Sequence, residues 1–237
     1  MTYEPVYTRT PRNAFIPSPV FVGIVAIFAV SGVMTWTHFG NVKVDVFLFI
    51  VAGWLVSLCL HEYAHALAGF FSGDKTVAER GYLRLNPLKY TSPLLSIVLP
   101  VVVVILGGIG LPGGAVWVDH QYIRSKVKDS LISAAGPLTN EILALVLAFL
   151  QITASVLNFL PIPGLDGGSI IAPWMSPAYQ RAWGLFAPYG FILLFLLLWQ
   201  TKIGTWFIDG MYSIAGALHI DDTAIQVGLE LMRFWKG

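Results

Sequence analysis

The chain has 237 residues, a formal net charge of +1, 56% hydrophobic residues and 11% charged ones. A soluble domain carries about 25% charged residues, so this composition cannot cover a water-facing surface and points to the bilayer as solvent. Near-neutral charge gives no support to a nucleic-acid partner, and a single cysteine, Cys59, excludes a disulfide within the chain.

Residues 1–16 form a polar N-terminal segment. The apolar run after it, Pro19–Trp36, has no small-residue cleavage site behind it and reads as a retained span rather than a signal peptide. A second span starts near Val44 and continues as helix through His61–His65 to Phe71. The polar stretch Ser72–Tyr90 follows, and the alternation in Gly81-Tyr82-Leu83-Arg84-Leu85 predicts a short strand. Pro93–Leu106 is apolar but short and holds Pro100, which suits a re-entrant segment. Gly107–Val118 is rich in glycine and proline and predicts loop or short strand. Asp119–Ser130 is the most charged stretch.

Leu131–Leu160 is a long apolar run with a break expected at Gly136-Pro137. Pro161–Gly168 interrupts helix again, and Ala182–Trp199 is a clear span. Ile203–Ile220 is weaker and suits a last span or an interfacial helix. Asp221–Gly237 is an amphipathic tail. The fold class is an all-α polytopic membrane protein, a bundle of about five to six transmembrane helices with a small β/loop insertion. Lys and Arg set the sidedness. Arg9 and Arg12 precede the first span, and Lys75, Arg80, Arg84 and Lys89 follow the second. Both placements put the N-terminus and the end of the second helix in the cytoplasm.

The chemistry lies in His61-Glu62-Tyr63-Ala64-His65, an HExxH pattern. Residues four apart share a helix face, so both imidazoles can approach one tetrahedral ion. Glu62 sits about 100° around the helix from His61, where it misses the ion and reaches a water on it as general base. Ionisable groups at membrane depth cost about 2.5–3.5 kcal/mol each, so three together argue for a metal site over a structural helix.

A catalytic zinc needs a third protein ligand. His38, His120 and His219 read as surface or interfacial. Asp166 lies in Asn158-Phe159-Leu160-Pro161-Ile162-Pro163-Gly164-Leu165-Asp166-Gly167-Gly168, which cannot be regular helix. Irregular backbone at membrane depth lines a cavity or is packed in protein. Alone, Asp166 reads equally as a helix cap or a ligand. Beside an HExxH motif lacking one ligand, it reads as the ligand.

Together these residues resemble the site-2 protease family of intramembrane zinc metalloproteases, in its compact bacterial branch without a PDZ domain. The resemblance covers most of Val44–Leu198. HEYAH and NFLPIPGLDGG match the family's paired motifs, and RLNPLKYTSPLLSIVLP and SAAGPLTN resemble two further stretches of that branch. The resemblance implies one Zn2+ per chain on His61, His65 and Asp166, with Glu62 as catalytic base. It implies that Asn140 and Asn158 bind substrate backbone, though capping or interhelix bonding suits each nearly as well.

It also implies a transmembrane protein as substrate and contact with membrane lipid, in a bacterial cell membrane with the active site toward the cytoplasm. Residues 17–220 are then a transmembrane metalloprotease domain and 221–237 its tail. Gly107–Val118 suits either an edge for strand addition of substrate or a plain connector. The competing reading is a zinc-binding membrane protein without proteolytic activity, a transporter or regulatory scaffold. In one respect the chain departs from the family. Asn140 to Asn158 leaves room for one crossing where two are usual, which conflicts with Asp166 meeting His61 unless Pro93–Leu106 is itself a true span.

Overall fold

The structure, a computed structural model, describes residues 10–90, 102, 116–147, 149–198 and 201–232. Helix α1, Pro19–Thr37, starts where Ser18 Oγ accepts from the Phe21 N–H at 3.1 Å and proline occupies the first turn. Most of its side chains face outward, Val22, Val30 and Val33 among them. Its buried residue Ser31 returns its hydroxyl to the Ile27 carbonyl at 2.7 Å, so no polar group is left bare on an apolar helix. Helix α2, Val42–Ser72, is capped by Asn41 and packs along α1, with Phe28 and Phe49 stacked 4.7 Å apart. Its 31 residues span about 46 Å, more than the ~30 Å apolar core of a bilayer.

The short strand expected at Gly81–Leu85 is not formed. Tyr82–Arg84 is a 3-10 turn between Gly81 and Leu85, both left-handed (φ 78° and 54°). A strand would send Tyr82 and Leu83 to opposite faces, yet both are buried in the cluster that holds Cys59 and Ala66 of α2. Burying two neighbours on one surface requires a turn. Among the described residues there is no strand. Pro93–Leu106, apart from Val102, and most of Gly107–Val118 lie outside the described residues. Short helix α3, Thr76–Glu79, lies between α2 and that turn.

Lys126–Leu147 forms α4 and Phe149–Phe159 forms α5. The break expected at Gly136-Pro137 is absent: Pro137 lies inside α4. Proline removes only the donor that would have served the Ser133 carbonyl, and the helix runs on past it. Nearby, Thr139 Oγ1 donates to the Ala135 carbonyl and Ser155 Oγ of α5 to the Pro137 carbonyl, at 2.8 and 3.2 Å. The second bond also fixes topology. Residues 137 and 155 would stand about 27 Å apart on a continuous helix, so α5 must run back along α4. Helix α4 is about 33 Å long and α5 about 16 Å. Helix α5 therefore runs back along about half the length of α4.

Helix α6, Asp166–Ile171, follows a tight Pro161–Leu165 link. Helix α7, Pro177–Leu198, bends by 58° between Gly190 and Ile192. At Gly190 a Cβ would lie 1.7 Å from the Pro163 carbonyl oxygen, so only glycine lets α7 approach the link that sets Asp166. Helix α8, Lys202–Ala217, and helix α9, Asp222–Met232, close the fold, with α9 against α2 and α8. Ile225 of the amphipathic tail joins a buried cluster with Ile152, Met211 and Ala215. By length and composition α1 and α2 are able to cross a membrane, and bent α7 adds a third among the described residues.

Candidate metal centre

Helix α2 buries His61, Glu62 and His65 at 4, 3 and 6% exposure, far from water for three ionisable groups. His61 lies eleven residues before the end of α2, about 16 Å from it. His65 Nδ1 stands 2.6 Å from the Ile132 carbonyl of α4. A carbonyl only accepts, so the ring proton sits on Nδ1 and the Nε2 lone pair faces inward, the orientation a metal ligand needs.

Asp166 is the first residue of α6, and Leu165 at its cap position makes no side-chain capping bond. Its carboxylate does not serve the helix end. Oδ2 lies 3.1 Å from His61 Nε2 and 3.4 Å from His65 Nε2, and the two Nε2 atoms are 3.1 Å apart. Four-coordinate zinc with bonds of about 2.0–2.1 Å separates its ligand atoms by about 3.3 Å. The three atoms match that triangle, and they are the metal-type cluster found among the described residues.

Gly136 of α4 completes the fit. A Cβ there would lie 2.3 Å from His65 Nε2 and 2.6 Å from His61 Nε2, against both ring nitrogens of the centre. Soft-borderline nitrogen donors with one carboxylate suit Zn2+ over Mg2+ or Ca2+.

The two asparagines separate in space. Asn158 Nδ2 is 3.5 Å from His61 Nε2, at the edge of the centre. Asn140 Oδ1 accepts from Ser57 Oγ at 3.4 Å, one turn before His61, and so bonds α4 to α2. Glu62 Oε2 accepts from the Val116 N–H at 2.8 Å. His38, His120 and His219 are exposed and outside the cluster.

A relative from Mycolicibacterium smegmatis, named "Putative zinc metalloprotease Rip2", is 39% identical across 96% of this chain and 98% of its own length. The chain belongs to the site-2 protease family. Rip2 of Mycobacterium tuberculosis is 38% identical across 95% of this chain and 96% of its own length. YwhC of Bacillus subtilis, which bears the same description, is 27% identical across 70% of this chain and 86% of its own length. No family model matches the chain, and no solved structure matches it significantly. The alignment with the M. smegmatis protein runs over 254 positions, more than the 237 residues here, so that site-2 protease holds residues this one lacks.

Three contributors to the centre escape a sequence reading. Gly136 is visible as a glycine before a proline in an apolar run, but its contact is not. The Ile132 carbonyl carries no residue signal at all. Val116 meets Glu62 through backbone, which any residue but proline supplies.

Proposed function

We propose that this site-2 protease relative is an intramembrane zinc endopeptidase that hydrolyses peptide bonds in or near transmembrane segments of other proteins. The observation that carries this reading is the meeting of His61, His65 and Asp166 within 3.1–3.4 Å, with Glu62 beside the two histidines on α2. Zinc held there supplies a Lewis acid that polarises a substrate carbonyl and lowers the pKa of water to about 7.

The chain's own residues do the rest. His61 and His65 present Nε2 from one helix face, and Asp166 closes the triangle. Glu62, aimed about 100° away from His61, takes the proton of the attacking water and delivers it to the leaving nitrogen. Asn158 is assigned to donate to a substrate carbonyl, a role its approach to His61 at the edge of the centre supports. Asn140 has an interhelix bond to Ser57, which fits a structural role. Burial of the centre about 16 Å from the end of α2 favours a substrate bond at membrane depth.

The reading includes five to six spans in a bacterial cell membrane, with Lys75, Arg80, Arg84 and Lys89 on the cytoplasmic side. Gly73 at the end of α2 packs against the Tyr122 carbonyl, which sets Arg124, Lys126 and Lys128 at that same end. That clustering supports a centre reached from the cytoplasm. A helical substrate must unwind before attack, because its own backbone hydrogen bonds shield the peptide bond.

The test is Glu62→Gln in the full chain, assayed on a transmembrane peptide in detergent. Zinc should remain at one per chain while cleavage falls by at least about 10²-fold, as for loss of a general base. Undiminished cleavage would refute the assignment.

A further inference from the structure

Four consecutive residues, Val116 to Asp119, are held one by one against α2 and the turn that follows it. The Val116 N–H donates to Glu62 Oε2 at 2.8 Å. The Trp117 carbonyl accepts from Arg80 Nη1 at 3.1 Å. Val118 is buried against Gly69, where a Cβ would come within 3.2 Å of its Cγ1. The Asp119 N–H donates to Asp74 Oδ2 at 2.7 Å. An unpaired chain this irregular has no sheet to hold it, so these contacts define its position.

Asp74 is the unusual member. It is fully buried, a costly place for a carboxylate unless its oxygens are satisfied. Its Oδ1 accepts from the N–H and hydroxyl of Thr76 at 2.9 and 2.7 Å, an ordinary turn closure. Oδ2 is not needed for that turn and is committed to the connector 45 residues away. Arg80 is exposed and ties the same connector two residues nearer Glu62.

We infer that Asp74, with Arg80 as a weaker second tether, is a positioning residue for Glu62. It fixes the connector so that the Val116 N–H engages one carboxylate oxygen and leaves the other oriented toward the metal centre. A glutamate has three free torsions, and a base must sit within a fraction of an ångström of its working position. Anchoring one oxygen from a clamped backbone removes that freedom without adding a charge. The inference rests on the reading of Glu62 as the base.

Asp74→Asn tests it in the full chain. An amide keeps one oxygen for Thr76 and turns a donor toward the Asp119 N–H, so the tether is what is lost. Amide exchange should speed at Val116 by at least about tenfold through local opening. Zinc should stay at one per chain. On a transmembrane peptide kcat should fall about 10-fold to 10²-fold, the cost of a misplaced group, with KM within about twofold. Arg80→Gln, on the surface and harmless to folding, should give the same pattern at about threefold, the worth of one exposed hydrogen bond.

Unchanged exchange at Val116 in both variants overturns the inference. So does a rise in KM with kcat intact, which would make the connector a substrate dock instead. Cleavage that survives Glu62→Gln would remove the base assignment and leave the exchange result standing, so the two failures are distinct.

Discussion

Gly136 faces both metal-type histidines: a Cβ on it would lie 2.3 Å from His65 Nε2 and 2.6 Å from His61 Nε2. Helix α4 therefore reaches α2 here at a point where backbone alone fits. The substitution Gly136→Ala should either push α4 away or occupy the ion's position. Zinc affinity should drop by at least about tenfold, the scale on which outer partners of a metal site act. Metal titration of the purified chain in detergent measures it, and the helical content of the variant should stay unchanged. Full zinc affinity in Gly136→Ala would mean that the two helices are looser than the geometry indicates.

Asp166 closes the ligand triangle at 3.1 and 3.4 Å from the imidazoles. Removing it leaves two neutral nitrogen donors and no anionic ligand. Asp166→Ala should lower zinc content well below one per chain after dialysis against a chelator that leaves wild type loaded. Chelation strong enough to strip wild type should stop cleavage of a transmembrane peptide, and added Zn2+ should restore it. Retention of stoichiometric zinc by Asp166→Ala would remove the third ligand from the assignment.

How much of this was legible beforehand follows from the range of each interaction. His61 and His65 are one helical turn apart, so their convergence is local geometry and reads directly from spacing. Asp166 is local only in being denied to regular helix by Pro161, Pro163 and Gly164. Its meeting with His61 depends on α5 turning back along α4. Both helices are apolar, and hydropathy carries no sign for direction, so a single crossing and a hairpin read alike. Tyr82 and Leu83 show the converse error. Alternating polarity suggested a strand, but tertiary burial placed both neighbours on one surface. Pro137 suggested a break, yet proline removes a single donor and the helix continues through it, packed against α2 and α5. A partner that arrives from elsewhere in the chain is not written in the local pattern.

Asn140 and Asn158 match the same kind of family position but meet different partners, and their substitutions should separate. Asn140 Oδ1 is bound to Ser57 Oγ, so Asn140→Ala and Ser57→Ala should each destabilise by about 1 kcal/mol. The double variant should cost less than the sum, because both remove one bond. Asn158→Ala, next to His61 Nε2, should instead lower cleavage by about tenfold or more with little change in stability. Thermal unfolding and turnover on one peptide read both. Equal effects of the two alanines on turnover would contradict the separation.

His120 and Asp129 form the best-defined ion pair at the connector's end, 2.6 Å between Nδ1 and Oδ1. The hydrogen bond to Asp129 comes first in raising the His120 pKa above its ordinary 6.5, and the charges of Asp129, Asp119 and Asp74 add to it against partial burial. The folded state therefore favours the protonated ring. Its stabilising contribution is complete below the unfolded value near 6.5 and is lost as pH rises through the higher folded value. The imidazole is largely exposed, so solvent screens the gain and the consequence is local. In a pH titration followed by NMR, His120 should show a midpoint above 6.5 that falls back toward it in Asp129→Asn. Amide exchange at residues 120–122 should quicken once the pH passes the wild-type midpoint. An Asp129→Asn midpoint equal to that of wild type would show that the carboxylate does not hold the ring.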